Sequence, residues 1–305
     1  MLLAIGASEA AAQLRPAHDA QPLFAAAPYA TQAAAADAES REQERPRFAP
    51  ETLAYRNAAV IGGSVLAMAV YGKVKWWDDG FTGNFRAENE GWFGQNTYAG
   101  GADKLGHAFF AYTGTRLLTR GFEFIGNSPQ PAAKLGFWTA LGIMTAVEVA
   151  DGYSKQYRFS AQDAIMNVIG AGAGYLMERL PDVDRLIDLR FHYKPSANSG
   201  FDPGSDYSGQ TYLVAIKASG VPALRAQEPL RYLELAIGYG SRGYDNPSGE
   251  HRRNLYFGLS LNVSELLRQT VYRGNREPSL TQKGTETFFE YIQVPGTAVS
   301  VKHRL

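Results

Sequence analysis

Three polar clusters interrupt otherwise apolar stretches of this chain, and their residue types are those of cation binding or proton transfer. The first is Asp103-Lys104-Leu105-Gly106-His107, in which Asp103 and His107 stand four apart and so share one face of a helix. The second is Glu148-Val149-Ala150-Asp151, with its carboxylates three apart at the end of an apolar run. The third pairs Asp163 with Asn167, again four apart, and Gly170 and Gly174 continue roughly the same face. Burying such groups without partners is costly. The economical arrangement has all three clusters pointing at one another.

Three kinds of chemistry suit that convergence. In a structural network, Lys104, Arg116 or Arg158 would neutralise Asp103, Glu148, Asp151 and Asp163 and fix helix register. As a metal site, Asp103, His107, Glu148, Asp151, Asp163 and Asn167 offer a hard, oxygen-rich ligand set suited to Mg, Mn, Zn or Fe. In metal-free acid–base catalysis, His107 would be held by Asp103 and opposed by Glu148 or Asp151. The cofactor stays open, a divalent metal being the candidate. No nucleophile stands out. Ser160 sits where a helix N-cap belongs, and Ser154 lies in a turn without an assigned base.

Helices must position these groups. Apolar segments of helical length cover 58–72, 105–118, 135–147 and 164–177. Pro129 and Pro131 suit a helix start, and Ser160 followed by Asp163 resembles a capping box. An antiparallel four-helix bundle is the natural expectation. Gly170, Gly172 and Gly174 each weaken a helix by about 1 kcal/mol relative to Ala. That cost makes sense where a neighbouring backbone comes close. A bilayer span needs about 20 apolar residues, and the longest uncharged run, 58–72, has 15. A buried or half-sunk bundle is expected, with full crossing as the alternative, because flanking Tyr, Trp and Lys could extend each segment.

Residues 181–193 read as a short charged amphipathic piece, and 194–210 as a turn-rich linker. Beyond it the hydrophobic period switches towards two. Leu255, Phe257, Leu259, Leu261 and Val263 alternate with smaller or polar residues, a strand signature. Thr211–Ala218, Arg231–Tyr239, Thr285–Val294 and Thr297–His303 are further strand candidates. The predicted fold is α+β, a helical bundle followed by an antiparallel β-sheet of about five strands. Five are too few for a closed outer-membrane barrel, whose bacterial forms start at about eight.

Composition narrows the function classes. Thirty Lys+Arg balance thirty Asp+Glu, which argues against nucleic acid as a partner. The 305 residues include no cysteine, which removes disulfides and thiolate metal sites. Residues 1–12 read as the remnant of a signal peptide. Residues 13–50, rich in Ala, Pro, Gln and charge, read as a disordered spacer. The expected organisation is therefore 1–12, 13–50, a helical domain over 51–193, a linker over 194–210 and a β region over 211–305. Aromatic residues from Trp76 to Tyr98 stud a Gly- and Asn-rich loop before the first cluster. They are expected to pack over the mouth of the bundle, with anchoring among lipid headgroups as the alternative.

The motifs as a set carry a family resemblance: Trp77 and Phe81, then TYAGGADKLGHAFFAY (97–112), EVADGY (148–153) and FSAQDAIMNVIGAGAG (159–174). Over about 75–178 the chain resembles the YfiM-type predicted periplasmic lipoproteins, a domain of unknown function. More distantly it resembles the VanZ-like membrane proteins. The resemblance puts signature positions on Asp103, Lys104, His107, Glu148, Asp151, Gly152, Ser160, Asp163, Asn167 and Gly170, and names no reaction. Without cysteine, attachment is expected through the helices, the aromatic loop or the strand region. The resemblance implies an exported protein, periplasmic or outer-membrane-associated, with an integral inner-membrane protein as the alternative. Its expected partner is a membrane or envelope component, with no protein partner named. The polar cluster is expected to fix the bundle, or alternatively to serve a hydrolase or transferase acting on an envelope lipid or glycan.

Overall fold

Pro50 at the first helical position, Glu51 in the first turn and Lys73 and Lys75 in the last bound a long helix, α1 (Pro50–Lys75). These are the residues that complement an N-terminal and a C-terminal helix end. The computed structural model describes residues 46–305 apart from 198, 246–248 and 274–276. The expected signal remnant (1–12) and all but the end of the expected spacer (13–50) lie outside the described residues. Where that end is described, the backbone N–H of Arg47 donates to Gly126 O at 2.9 Å, and Arg56 stacks over Phe48.

After α1 the aromatic loop forms β1 (Ala87–Glu88) and leads to α2 (Ala102–Phe124) and α3 (Pro129–Tyr153). Then β2 (Phe159–Ser160) pairs in parallel with β1, at the threshold of α4 (Ala161–Arg179). The loop is thereby tied to the start of α4. Helices α2, α3 and α4 pack mutually as a three-helix core.

The expected four-helix bundle is corrected in one respect, since α1 stands largely outside that core and buries just Leu53 and Gly72. Its apolar residues run round the whole circumference instead of gathering in a stripe, so no face is singled out for burial. By length and composition α1 and α3 could each cross a membrane; the apolar window of α1 is 6% buried and that of α3 44%.

A short helix, α5 (Pro181–Leu186), turns the chain into β3 (Ile187–Tyr193), followed by β4 (Gln210–Lys217). The short α6 (Pro222–Arg225) precedes β5 (Leu233–Arg242) and β6 (Arg252–Leu261). Helices α7 (Val263–Gln269) and α8 (Leu280–Tyr291) come before β7 (Ala298–Arg304). The described residues thus hold eight α-helices and an antiparallel sheet of order β3-β4-β5-β6-β7.

The five strands are not quite the expected five. Thr285–Val294, expected as a strand, lies mostly in α8, where Ser279 Oγ caps Gln282 N at 3.1 Å and Glu290 pairs with Arg116 and Arg120. Local capping and ion pairing override its β-branched and aromatic composition. Residues 187–193, expected within the helical domain, supply β3 instead. Its charged Asp188 and Arg190 are buried because they pair with each other, and with Lys217 and Glu234 respectively.

The sheet meets the bundle through Phe109 and Tyr112 of α2, Phe191 of β3, Tyr212 of β4 and Tyr291 of α8. Segment 194–210, expected as a linker, is folded down at its end. The Asp206 carboxylate accepts from Ser196 N at 2.8 Å, Gly209 N at 3.0 Å and Tyr193 OH at 3.0 Å.

Candidate functional site

The chain enters α2 through three consecutive left-handed residues, Ala99, Gly100 and Gly101, with φ of 47°, 60° and 85°. A Cβ on Gly101 would stand 2.4 Å from the Phe93 ring and 2.9 Å from Trp92 O, so glycine is required there on both counts. This turn delivers Asp103 and Lys104 to the first turn of α2. On the neighbouring helix, Ser160 Oγ accepts from Asp163 N at 3.2 Å and caps α4, while Ser160 N donates to Glu148 Oε2 at 3.2 Å. One serine thus indexes α4 against the end of α3. Backbone contact sets the spacing of α2 and α4: a Cβ on Gly170 would lie 2.0 Å from Ala108 O, and one on Gly174 2.7 Å from Tyr112 O. Gly172 faces open space, so two of the three glycines carry the close approach.

The three polar clusters come together. Lys104, fully buried, sends Nζ to Asp103 Oδ2 at 2.9 Å, to Asp163 Oδ2 at 2.8 Å and to Glu90 Oε2. His107 Nδ1 lies 3.2 Å from Asn167 Oδ1 and 3.3 Å from Glu148 Oε1, and Nε2 lies 3.7 Å from Asp103 Oδ1. Asp151 sits at the edge of the group and accepts from Trp77 Nε1 at 2.6 Å. Glu148, Asp163 and Asn167 are buried, and the His107 side chain keeps 17% of its surface exposed.

Among the cations expected to neutralise this cluster, Lys104 is in place and two are elsewhere. Arg116 binds Glu178, Asp184 and Glu290 far along α2. Arg158 donates to the carbonyls of Lys155 and Tyr157. Two further residues join the cluster: Glu90, a lone acid in the aromatic loop, and Tyr207, whose hydroxyl hydrogen-bonds Asp103. Neither residue repeats at helical spacing, so periodicity gave no signal. Trp77, one of the aromatic residues of the loop, serves Asp151 through its indole N–H.

The electrostatics follow from carboxylate crowding. Burial, then the neighbouring Asp163, pushes Glu148 up to about 9. Burial and the adjoining Asp163 carboxyl raise Glu90 to about 7. Burial raises Asp151 to about 6 against the opposing hydrogen bond from Trp77. Burial also works on Asp103, but His107 and Lys104 overcome it and hold Asp103 below the usual carboxylate range. Asp163 is raised by burial and by Asp103.

The two nitrogens of His107 allow two proton arrangements. With Glu148 protonated, its O–H donates to Nδ1 and the ring proton sits on Nε2, facing Asp103. With Glu148 ionised, Nδ1–H donates to Glu148 and Asn167. A bare Nε2 then faces Asp103 Oδ1, and a cation or a proton belongs between them.

A metal ion is compatible with that second arrangement. One ligand atom each from Asp103, His107 and Asp163 lies within 4.8 Å of the others, and two ligands on opposite sides of a bound transition-metal ion stand about 4.2 Å apart. Asp163 Oδ1 and Asn167 Nδ2 are buried without a hydrogen-bond partner among the described residues, which leaves a ligand oxygen free. Glu148 would then hold the other nitrogen of the ligating histidine, the usual supporting arrangement.

Above the cluster opens a cleft of about 740 Å³. Glu90, Asp103, His107, Glu148, Asp151 and Asp163 line its floor, while Met68, Tyr71 and Trp76 line it from α1 and the turn that follows. Residues 202–208, from the segment expected as a linker, form another wall.

Residues 89–179 match a family described as a predicted periplasmic lipoprotein (DUF2279). The match spans Glu90 and every cluster residue except the outlying Trp77 and Tyr207. That description agrees with the exported, periplasmic or envelope-associated location expected from the sequence, and with an envelope protein of unknown activity. No curated protein and no solved structure matches the chain.

Proposed function

We propose that the helical domain of this envelope protein holds a hydrolase or transferase site acting on an envelope lipid or glycan, assisted by a divalent cation. The observation that carries the reading is charge imbalance beneath an open cleft: five carboxylates gather around one lysine and one histidine. Asp103, His107 and Asp163 would hold the ion, with Asn167 beside them. When bound, it would polarise a substrate oxygen or lower the pKa of a water. Glu148 orients His107 and exchanges a proton with Nδ1. Asp151, steadied by Trp77, and Glu90 are the carboxylates nearest neutrality and suit proton transfer at the cleft floor. The exposed apolar surface of α1 supports association with a membrane.

A second reading has its own support. Lys104 pairs three carboxylates drawn from α2, α4 and the aromatic loop, which would fix the bundle without any reaction. Thermal melting of the purified chain with Mn²⁺ or Zn²⁺, alongside measurement of bound metal, separates the two. A dose-dependent rise in melting temperature is expected for a native-state ion. No rise and no bound metal would leave the Lys104-centred structural reading and the metal-free acid–base version.

A further inference from the structure

The lining of the cleft is divided, and the division points to a substrate. The floor is carboxylate and imidazole. Beside it the lining includes an apolar set: Met68 and Tyr71 from α1, Trp76 just beyond it, Phe110 from α2, and Met144 and Val147 from α3. Phe110 stays 46% exposed and Tyr71 42%, so this wall is open to a ligand and not closed on itself. It is aliphatic as well as aromatic, which suits an alkyl chain better than the flat face of a sugar. The wall is also continuous with α1, whose Val65, Leu66, Val70 and Val74 are exposed along its length. Helix α1 thus contributes apolar residues both to the cleft lining and to the outside of the molecule.

We infer that the cleft takes a lipid-type amphiphile, with its polar headgroup on the Asp103–His107–Asp163 floor and its alkyl chain along Met68, Tyr71, Phe110 and Met144. This rests on the reading of the floor as a reaction site, and it selects lipid over glycan. Helix α1 is then the path by which a chain leaves a bilayer and enters the cleft without crossing water.

The test measures binding by calorimetry on the full chain, with all alkyl probes below their micelle concentrations. Dodecylphosphocholine and dodecyl maltoside are compared with phosphocholine, maltose and chitobiose. Each buried methylene contributes about 0.8 kcal/mol, so both dodecyl probes should bind at least about tenfold more tightly than their headgroups alone. Phe110→Asp and Met68→Asp should each abolish that preference, whereas Leu66→Asp, on α1 but outside the cleft, should keep it. Equal binding of headgroups and dodecyl probes, or tight binding of chitobiose, overturns the proposal. So does loss of dodecyl binding in Leu66→Asp to the same degree as in Phe110→Asp, because the chain would then sit on the helix surface. A Mn²⁺ melt of wild type and Phe110→Asp keeps the two readings apart. Tail-dependent binding without an ion-induced shift sustains the lipid inference and removes the cation. An ion-induced shift without tail dependence removes the lipid inference alone.

Discussion

Two charge networks meet α2 about three turns apart, one continuing into the sheet, and they are built differently. Around Arg116 and Arg190 each carboxylate is faced by a cation. Arg116 reaches Glu178 at 2.8 Å, Asp184 at 2.7 Å and Glu290 at 2.8 Å, and also takes the Tyr112 hydroxyl at 2.7 Å. Arg190 clasps Glu234 through two bonds of 2.6 Å and holds Asp188 at 2.7 Å, with Lys217 on the far side of Asp188. Planar guanidinium groups fill such sites with fixed, forked geometry. Around His107, by contrast, five carboxylates face one lysine and one histidine, and the one ammonium is a point charge. The first network joins α5, α8 and the sheet to the bundle, and its Asp184, Asp188, Lys217 and Glu290 border a cavity of about 1010 Å³. The second opens on a cleft. Both networks border cavities, so it is the excess of acid around His107 that supports the proposed binding of a cation there.

The comparison can be broken by removing each central cation. Arg116→Met should be the most damaging change, costing about 3 kcal/mol, because the partly buried Glu178 and Asp184 lose Arg116 and Glu290 is left with Arg120 alone; denaturant melts followed by circular dichroism measure it, and divalent ions should restore nothing. Lys104→Met should cost a similar amount in chelator, yet Mn²⁺ or Zn²⁺ should recover a large part of it. Equal rescue of both variants, or of neither, would erase the distinction between the two networks.

A smaller effect sharpens the same contrast through pH. Glu148 titrates higher when folded (about 9) than its ordinary 4.5, so folding favours its neutral form. Its contribution is complete below about pH 4.5 and disappears as pH rises through about 9. In chelator, the melting temperature should therefore fall by a few degrees from pH 5 to 9, and Glu148→Gln should flatten that slope. A slope unchanged in the variant would remove Glu148 from the account. The smallest effect is expected from His107→Ala. Its partly exposed ring should cost about 1 kcal/mol or less on melting while the metal-induced shift is lost; strong destabilisation would return the cluster to a structural role.

Much of the site was legible because its residues recur at helical spacing. Asp103 with His107, and Asp163 with Asn167, announce a shared face. Ser160 announces the helix that carries the second pair, and Gly170 and Gly174 announce how near that helix comes. Residues lacking a period were invisible: Glu90 is one acid in a loop, and Tyr207 sits in a stretch of turn residues. In the fold, alternation picked out β5 and β6, whereas β3 hid behind Asp188 and Arg190, whose burial makes sense once Glu234 and Lys217 are known to face them. Segment 285–294 misled in the opposite direction, since Thr and Phe favour strands until a serine cap and a paired Glu290 hold the helix. The isolation of α1 was written in its uniform greasiness, which a search for runs of helical length does not distinguish from a bundle member.

The contact of Gly170 with Ala108 O has a consequence for selectivity. Main chain abuts main chain there, so the gap between Asp103 and Asp163 is gauged by atoms that cannot rotate away. If Asp103, His107 and Asp163 hold an ion as proposed, so fixed a spacing would favour small ions such as Mg²⁺, Mn²⁺ or Zn²⁺ over Ca²⁺, which seeks six to eight oxygens at longer range.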